Sequence, residues 1–400
     1  MDRNMKIALV HELLTMRGGA ERVLRIAAGM FPDAPIYTLL YNEKKLGDWF
    51  PKARIRTSAL QSTALLRYCA NSLFNFNHHT FLPFFPSAVE SWDFSEYDLV
   101  LSFSSAFAHG IITNGKPKHI CYVHSPARYL WDRTHDVINA AESHGFRLLK
   151  PLKRKYLEHI FHKLRIWDCE SSARPDKLIA ASKEVQRRIE LYWRRKSEVI
   201  YPPIDDFWLN NNQQATNQNS TALLRYCANN LPSTIDNQQF YYVIVSTLAP
   251  YKRIDLAISA CNKGKKNLII IGEGPDRKRL ERLAGPTVTF LGYQPKEKVA
   301  EYYSNAIATI FPGSEDFGLV PLESMASGTP VIAFNKGGAK ETVIEGETGT
   351  FFDEPSADSL LCAMEQFDRD SFSPDKMRSH AEKFSRGRFE ESIRNIIAMG

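Results

Sequence analysis

Long apolar runs are missing from this chain. No stretch approaches the ~20 residues that a membrane-spanning helix needs. Cysteine is scarce: there are six in 400 residues, at positions 69, 121, 169, 227, 261 and 362. They stand too far apart to suggest a disulfide framework or a metal-binding pair. They read as small buried apolar groups in a reducing compartment. The candidate site stretches below hold no Asp-x-Asp pair, so neither a metal nor another cofactor is expected. A strong excess of one charge is lacking too. The formal net charge is +6, and no RNA- or DNA-binding motif accompanies it, so no nucleic-acid partner is expected. The amino terminus, Met1-Asp2-Arg3-Asn4, shows no basic-then-apolar leader, and the chain is expected in the cytoplasm.

What is present is the alternation of an α/β protein. Four hundred residues suggest two domains. Residues 5–10 read as a strand, Gly18-Gly19 as a turn, and residues 20–31 as a helix with apolar residues at helical spacing. That opening suits a nucleotide-binding sheet, although it is not G-x-G-x-x-G. Residues 35–40, 99–103, 120–124 and 177–182 read as further strands. Pro202-Pro203 closes the first domain. Residues 209–239, rich in Asn, Gln, Ser and Thr, read as a flexible insertion. One segment occurs twice: STALLRYCANSL at 62–73 and STALLRYCANNL at 220–231. Two copies with unrelated flanks do not make a solenoid.

Two stretches of the first half have double readings. Residues 73–92 hold Phe74, Phe76, Phe81, Phe84, Phe85 and Trp92, broken by Pro83 and Pro86. They suit either core under a long loop or a surface that touches lipid. Residues 147–167 are basic with interleaved aromatics, and suit either a solvated helix face or a surface drawn to an anionic membrane.

The densest chemistry lies at 311–343. An apolar run ends in Pro312-Gly313. Glu315 and Glu323 follow, with Gly318 between them. Leu319–Ala326 reads as a helix stopped by Gly328-Thr329-Pro330, and Val331–Phe334 as the next strand. A loop running from a strand into a helix sits where open α/β sheets take ligands. Two carboxylates and a helix N-terminus there suit a hydroxyl-rich sugar carrying an anionic group. Earlier, Lys252 and Arg253 precede a helix, as an anion site for a diphosphate would require. His124-Ser125-Pro126 follows a strand directly, which places His124 at a sheet's carboxyl edge.

The stretch at 311–343 resembles the donor-site signature of the retaining glycosyltransferases of family 4, and the His124-Ser125-Pro126 segment resembles that of the family's bacterial mannosyltransferases. The resemblance implies the GT-B fold: two Rossmann-like domains, with parallel sheets facing a central cleft. The expected bounds are 1–203 for an acceptor-side domain, 204–239 for a linker with the insertion, and 240–375 for a nucleotide-sugar domain. A final helix within 376–400 would return to the first domain. The resemblance makes Glu315 the donor-sugar contact, Glu323 the ribose ligand, and His124 a neighbour of the sugar and its leaving phosphate. It places Lys252 and Arg253 at the diphosphate and Tyr293 near the base. Gly18, Gly19, Phe317, Gly318 and Leu319 join as loop contacts. At Ser246 and Thr247 this chain departs from the family's Gly-Arg, which removes one phosphate-binding cation. The implied reaction moves a mannosyl residue from GDP-mannose, with retention, to a lipid-linked or polysaccharide hydroxyl, as in lipopolysaccharide assembly. Two alternatives stay open: a UDP-sugar donor on the same fold, and a sugar-nucleotide-binding protein without turnover.

Overall fold

The computed structural model describes residues 5–62, 78–143, 150–210 and 240–398. The chain divides into two compact units, residues 1–201 with 392–400 and residues 202–391. Among the described residues each unit is built on one main parallel sheet. In the first unit the strands lie in the order Ile55–Thr57, Ile36–Thr38, Ile7–His11, Leu99–Ser104, Lys118–Val123, Lys177–Ala180, Glu198–Val199. In the second the order is Val288–Gly292, Asn267–Ile271, Tyr241–Val245, Thr309–Phe311, Val331–Phe334, Gly349–Phe352. Both are Rossmann-like. Each sheet starts near its middle, grows one way, then reverses. The reversals fall between Ile7–His11 and Leu99–Ser104, and between Tyr241–Val245 and Thr309–Phe311. A reversal leaves a crevice at the carboxyl ends of the two strands, which is where such sheets take ligands.

Helices cover both faces of the sheets, so the strands read as nearly unbroken apolar runs. Leu99–Ser104 is buried at every position. The helix Gly19–Met30 turns Val23, Leu24, Ala27 and Ala28 inward, the i, i+3, i+4 stripe that its sequence shows.

Several boundaries differ from the sequence reading for local reasons. The strand expected over 35–40 divides. Ile36–Thr38 joins the main sheet, while Leu40–Tyr41 pairs with Leu13–Leu14. The strand expected over 177–182 stops at Ala180, because the Ser182 side chain caps the helix Lys183–Trp193 by accepting from Val185 N. Ile55–Thr57 and Glu198–Val199 were not expected. Three and two residues are too few to show periodicity.

The expected linker is part of the second unit as far as Asn210. Trp208 is buried there with its ring 5.8 Å from that of Tyr303, and Ile204 N donates to Phe384 O at 2.9 Å. The insertion beyond it, and nearly all of both copies of the repeated segment, lie outside the described residues. The tail forms two helices, Pro374–Glu382 and Arg386–Ala398, and groups with the first unit only from Ser392 onward. Of the Phe-rich stretch, residues 73–77 lie outside the described residues. Leu82, Phe85 and Val89 are core, Phe81 and Trp92 pack against it, and Phe84 is exposed. Among the described residues of this stretch the core reading therefore holds, and the lipid reading keeps only Phe84.

Candidate functional site

The second unit brings most of the expected residues together at its reversal point. The loop after Tyr241–Val245 carries Lys252, and the loop after Thr309–Phe311 carries Glu315. Lys252 Nζ lies 2.5 Å from Glu315 Oε1, and both side chains keep some exposure, 15% and 21%. The two loops touch through backbone: a Cβ on Gly313 would stand 3.0 Å from Lys252 O. The Glu315 loop is pinned from the next strand. Gly338 N donates to Glu315 O at 2.9 Å, and Glu315 bridges Gly337. A Cβ on Gly338 would fall 2.2 Å from Phe317 Cα, so this approach excludes any side chain.

Gly318 then caps the helix Leu319–Ala326 at φ +93°, in the left-handed region that glycine occupies freely. Glu323 is buried on that helix, and Phe317 is buried with its ring 5.6 Å from that of Phe384. Leu319 is half-buried at the helix start. Arg253 approaches a different carboxylate from Lys252. It caps the helix Ile254–Gly264, and its Nε lies 3.4 Å from Asp255 Oδ1. Thr247 is exposed on the same loop. Tyr293 follows Val288–Gly292 and is 80% exposed, an aromatic face open to stacking.

His124, Gly18 and Gly19 belong to the first unit. Gly18 N donates to Glu21 Oε2 at 2.9 Å, so the N-terminus of Gly19–Met30 is already met by a carboxylate. A Cβ on Gly18 would lie 2.6 Å from that oxygen. His124 stands one residue beyond Lys118–Val123, and its backbone N donates to Ser104 O at 2.8 Å. Burial holds its imidazole neutral, with the pKa pushed down to about 3, and the nearby His11 adds to the effect. The two rings meet edge to face at 6.3 Å.

The sequence reading missed His11 and Glu12, which end the first strand and begin the loop after it. His11 Nδ1 donates to Phe103 O at 3.0 Å, and His11 Nε2 lies 3.8 Å from Glu21 Oε1. Burial lowers the His11 pKa, but Glu21 and Glu12 outweigh it, and the net shift is upward. Glu12 is buried, and Ser105 N donates to its Oε1 at 2.5 Å. Burial pushes this carboxyl above the usual range. The available signal was position: in a parallel sheet, the residues just past a strand's carboxyl end face the crevice.

Residues 230–384 match the family model described as glycosyl transferases group 1. The second unit is a group 1 glycosyl transferase domain. Its matched span holds Thr247, Lys252, Arg253, Tyr293, Glu315, Phe317, Gly318, Leu319 and Glu323. Among curated proteins, the chain is 37% identical over 106 residues to a GDP-mannose-dependent alpha-mannosyltransferase of Mycobacterium tuberculosis, covering 26% of this chain and 28% of that one. It is 32% identical over 140 residues to a GDP-mannose-dependent alpha-(1-6)-phosphatidylinositol monomannoside mannosyltransferase of Mycolicibacterium smegmatis, covering 30% and 37%. The matches thus span about a third of each relative. Among solved structures, Anabaena HepE in complex with UDP-glucose superposes with a TM-score of 0.69 at 17% identity, over 99% of this chain and 100% of that one. Sucrose-phosphate synthase of Thermosynechococcus elongatus gives 0.66 at 18%, over 99% and 100%. At these identities the likeness shows the fold, which is GT-B.

One Asp-x-Asp triplet does occur outside the transferase site stretches, Asp368-Arg369-Asp370. It forms a surface turn in which Asp370 N donates to the Asp368 carboxylate at 3.0 Å. Among the described residues no group of three or more His, Cys, Asp and Glu side chains is arranged to hold a metal ion.

Proposed function

We propose that the chain is a retaining glycosyltransferase that moves mannose from GDP-mannose to a hydroxyl of a lipid-linked or polysaccharide acceptor. The observation that carries this reading is the contact of Lys252 with Glu315 at the reversal point of the transferase domain. A sugar diphosphate offers a partner to each group: its phosphate to the ammonium, its sugar hydroxyls to the carboxylate. Cleaving the anomeric bond places charge on the leaving diphosphate. Lys252 and the amide groups at the start of Leu319–Ala326 stabilise that charge. Glu323 takes the ribose hydroxyls, and Tyr293 offers its ring to the base. With no second carboxylate assigned as nucleophile, the acceptor attacks on the face the phosphate leaves, and the phosphate takes its proton. The names of the curated relatives favour GDP-mannose over a UDP-sugar.

A lipid-linked acceptor requires a way to reach a membrane. Among the described residues no helix is long and apolar enough to cross one. The helix Lys150–Ser171 instead exposes Leu152, Tyr156 and Ile166. They fall within about 80° of arc at 3.6 residues per turn. Lys153, Lys155 and Lys163, all exposed, lie on or beside that stripe. Apolar residues with a basic flank suit peripheral binding to an anionic leaflet.

Turnover measured against a panel of GDP- and UDP-sugars tests the donor. Transfer from GDP-mannose alone supports the reading. Transfer only from a UDP-sugar replaces the donor, and nucleotide binding without transfer replaces the activity. Sedimentation with anionic vesicles tests the surface. Wild type should bind at low salt, and a variant with Lys153, Lys155 and Lys163 changed to Glu should not.

A further inference from the structure

The second unit holds a charged cluster that the transferase reading leaves without a role. Glu273 follows the strand Asn267–Ile271, which lies in the sheet between Tyr241–Val245 and Val288–Gly292. Arg277 Nη1 donates to Glu273 Oε1 at 2.5 Å, and Arg277 Nε donates to Glu281 Oε1 at 2.7 Å. Backbone contacts fix the Glu273 loop to both of its neighbours. Leu248 N donates to Glu273 O at 2.9 Å, and a Cβ on Gly274 would stand 2.2 Å from Leu248 O. Those contacts join it to the loop that carries Lys252. On the other side Gly272 N donates to Gly292 O at 2.8 Å. A Cβ on Gly292 would stand 2.7 Å from Glu273 Oε1, so the carboxylate itself lies against the residue before Tyr293.

The chemistry of this cluster discriminates between bases. The Glu273 side chain is 54% exposed, and among the described residues its side-chain hydrogen bonds run through Oε1 alone. Two carboxylates share one guanidinium, so the cluster carries an excess of negative charge. An ionised carboxylate only accepts hydrogen bonds. Guanine presents two adjacent donors, N1–H and its 2-amino group, which one carboxylate can accept together. Uracil presents N3–H between two carbonyl oxygens, and those oxygens repel a carboxylate. We propose that Glu273 selects guanine in the donor nucleotide, its carboxylate accepting from N1–H and the 2-amino group. The proposal rests on the transferase reading and adds to it the residue that chooses the base. Specificity then comes from both sides, an attraction to guanine and a repulsion of uracil.

The test is calorimetry on the full chain with three probes: GDP, UDP and inosine diphosphate. The last keeps N1–H and O6 but lacks the 2-amino group. Wild type should bind GDP more tightly than UDP, and roughly tenfold more tightly than inosine diphosphate, since one hydrogen bond to a charged group is missing. Glu273→Gln keeps the size and removes the charge, and its amide N–H₂ would face the guanine donors. It should weaken GDP binding by about tenfold or more, erase the difference between GDP and inosine diphosphate, and leave UDP affinity unlowered. A preference for GDP that survives the substitution overturns the proposal and leaves the transferase reading standing. A variant that loses affinity for all three probes alike also overturns it, because a merely structural role does that. Equal binding of GDP and inosine diphosphate by wild type overturns it with no variant needed. A wild type that prefers UDP removes both this proposal and the GDP-mannose donor. If wild type binds none of the three, the transferase reading itself falls, a result distinct from the others.

Discussion

The two sheets share a strand order and differ in what stands at its reversal. In the second unit a cation meets a carboxylate, Lys252 against Glu315, on loops locked together by Gly313, Gly337 and Gly338. In the first unit the same position holds Glu12, Glu21 and His11, and the anion-seeking N-terminus of Gly19–Met30 is already answered by Glu21. A Rossmann-like crevice is therefore not an anion site by fold alone. The few residues after the first and fourth strands decide whether it suits phosphate or hydroxyl.

The sharpest way to break this contrast is to remove the cation. Lys252→Ala deletes the group proposed to meet the diphosphate and leaves Glu315 without its partner. Loss of one preorganised charge-stabilising group typically costs on the order of 10²–10³ in rate. We expect kcat/KM for the sugar nucleotide to fall by that factor with the thermal midpoint nearly unchanged. A fall of less than threefold would make the pair a structural contact only.

Glu323→Ala probes the same unit deeper in the helix. The carboxylate is buried, and the reading has it accept from two ribose hydroxyls, so its loss should weaken GDP binding by about 1–3 kcal/mol. Calorimetry measures this directly. Unchanged affinity removes Glu323 from the nucleotide site.

Acid should separate the units by stability. Burial holds His109, His119 and His124 neutral, each pushed down to about 3 from an ordinary 6.5. In the unfolded chain they protonate below 6.5, so the stability they retain above that pH is lost as pH falls through the window from 6.5 to about 3. Asp168 works the other way. Burial raises it from 3.8 to about 7, even though the indole N–H groups of Trp131 and Trp193 donate to it. It therefore adds stability as pH falls from about 7 toward 3.8. One unit below 6.5, each histidine costs about 1.4 kcal/mol. Asp168, Glu12 and His11, all raised, oppose them, so the first unit should lose less between pH 7.5 and 5.5 than the three histidines alone would cost. Hydrogen exchange resolved by unit reads this. The second unit, where burial lowers His380, should weaken less. Equal loss in both units would contradict the assignment.

The same contrast explains what could be read before the structure. In the second unit the helix Leu319–Ala326 and the strand Val331–Phe334 were legible to the residue, because Gly318, the Gly-Thr-Pro stop and the apolar runs all mark the same edges. The candidate residues there could be nominated because they stand in two short runs of sequence, Lys252-Arg253 and Glu315 to Glu323. What was not legible was pairing. Arg253 sits beside Lys252 in sequence, yet it turns to Asp255 from a left-handed cap. In the first unit Ser105 N donates to Glu12 Oε1 across 93 positions of sequence. Only the strand register brings them together, and no local pattern encodes register between distant strands.

The smallest effect expected comes from Thr247, and it asks whether the cationic side of the second unit is complete. The residue is exposed on the loop that carries Lys252, and the chain after it is fixed, with Leu248 N donating to Glu273 O at 2.9 Å. An arginine there needs no repacking of the core. Arg253 Nε lies 3.4 Å from Asp255 Oδ1. A guanidinium reaching the diphosphate would add a charge-assisted hydrogen bond. Its exposure and rotamer entropy would cut the gain to about 1 kcal/mol or less. Thr247→Arg should therefore tighten GDP binding by up to roughly fivefold, and the gain should shrink as salt rises. Weaker GDP binding in a folded Thr247→Arg variant would mean that the loop presents residue 247 away from the phosphate, and that Lys252 acts there without help.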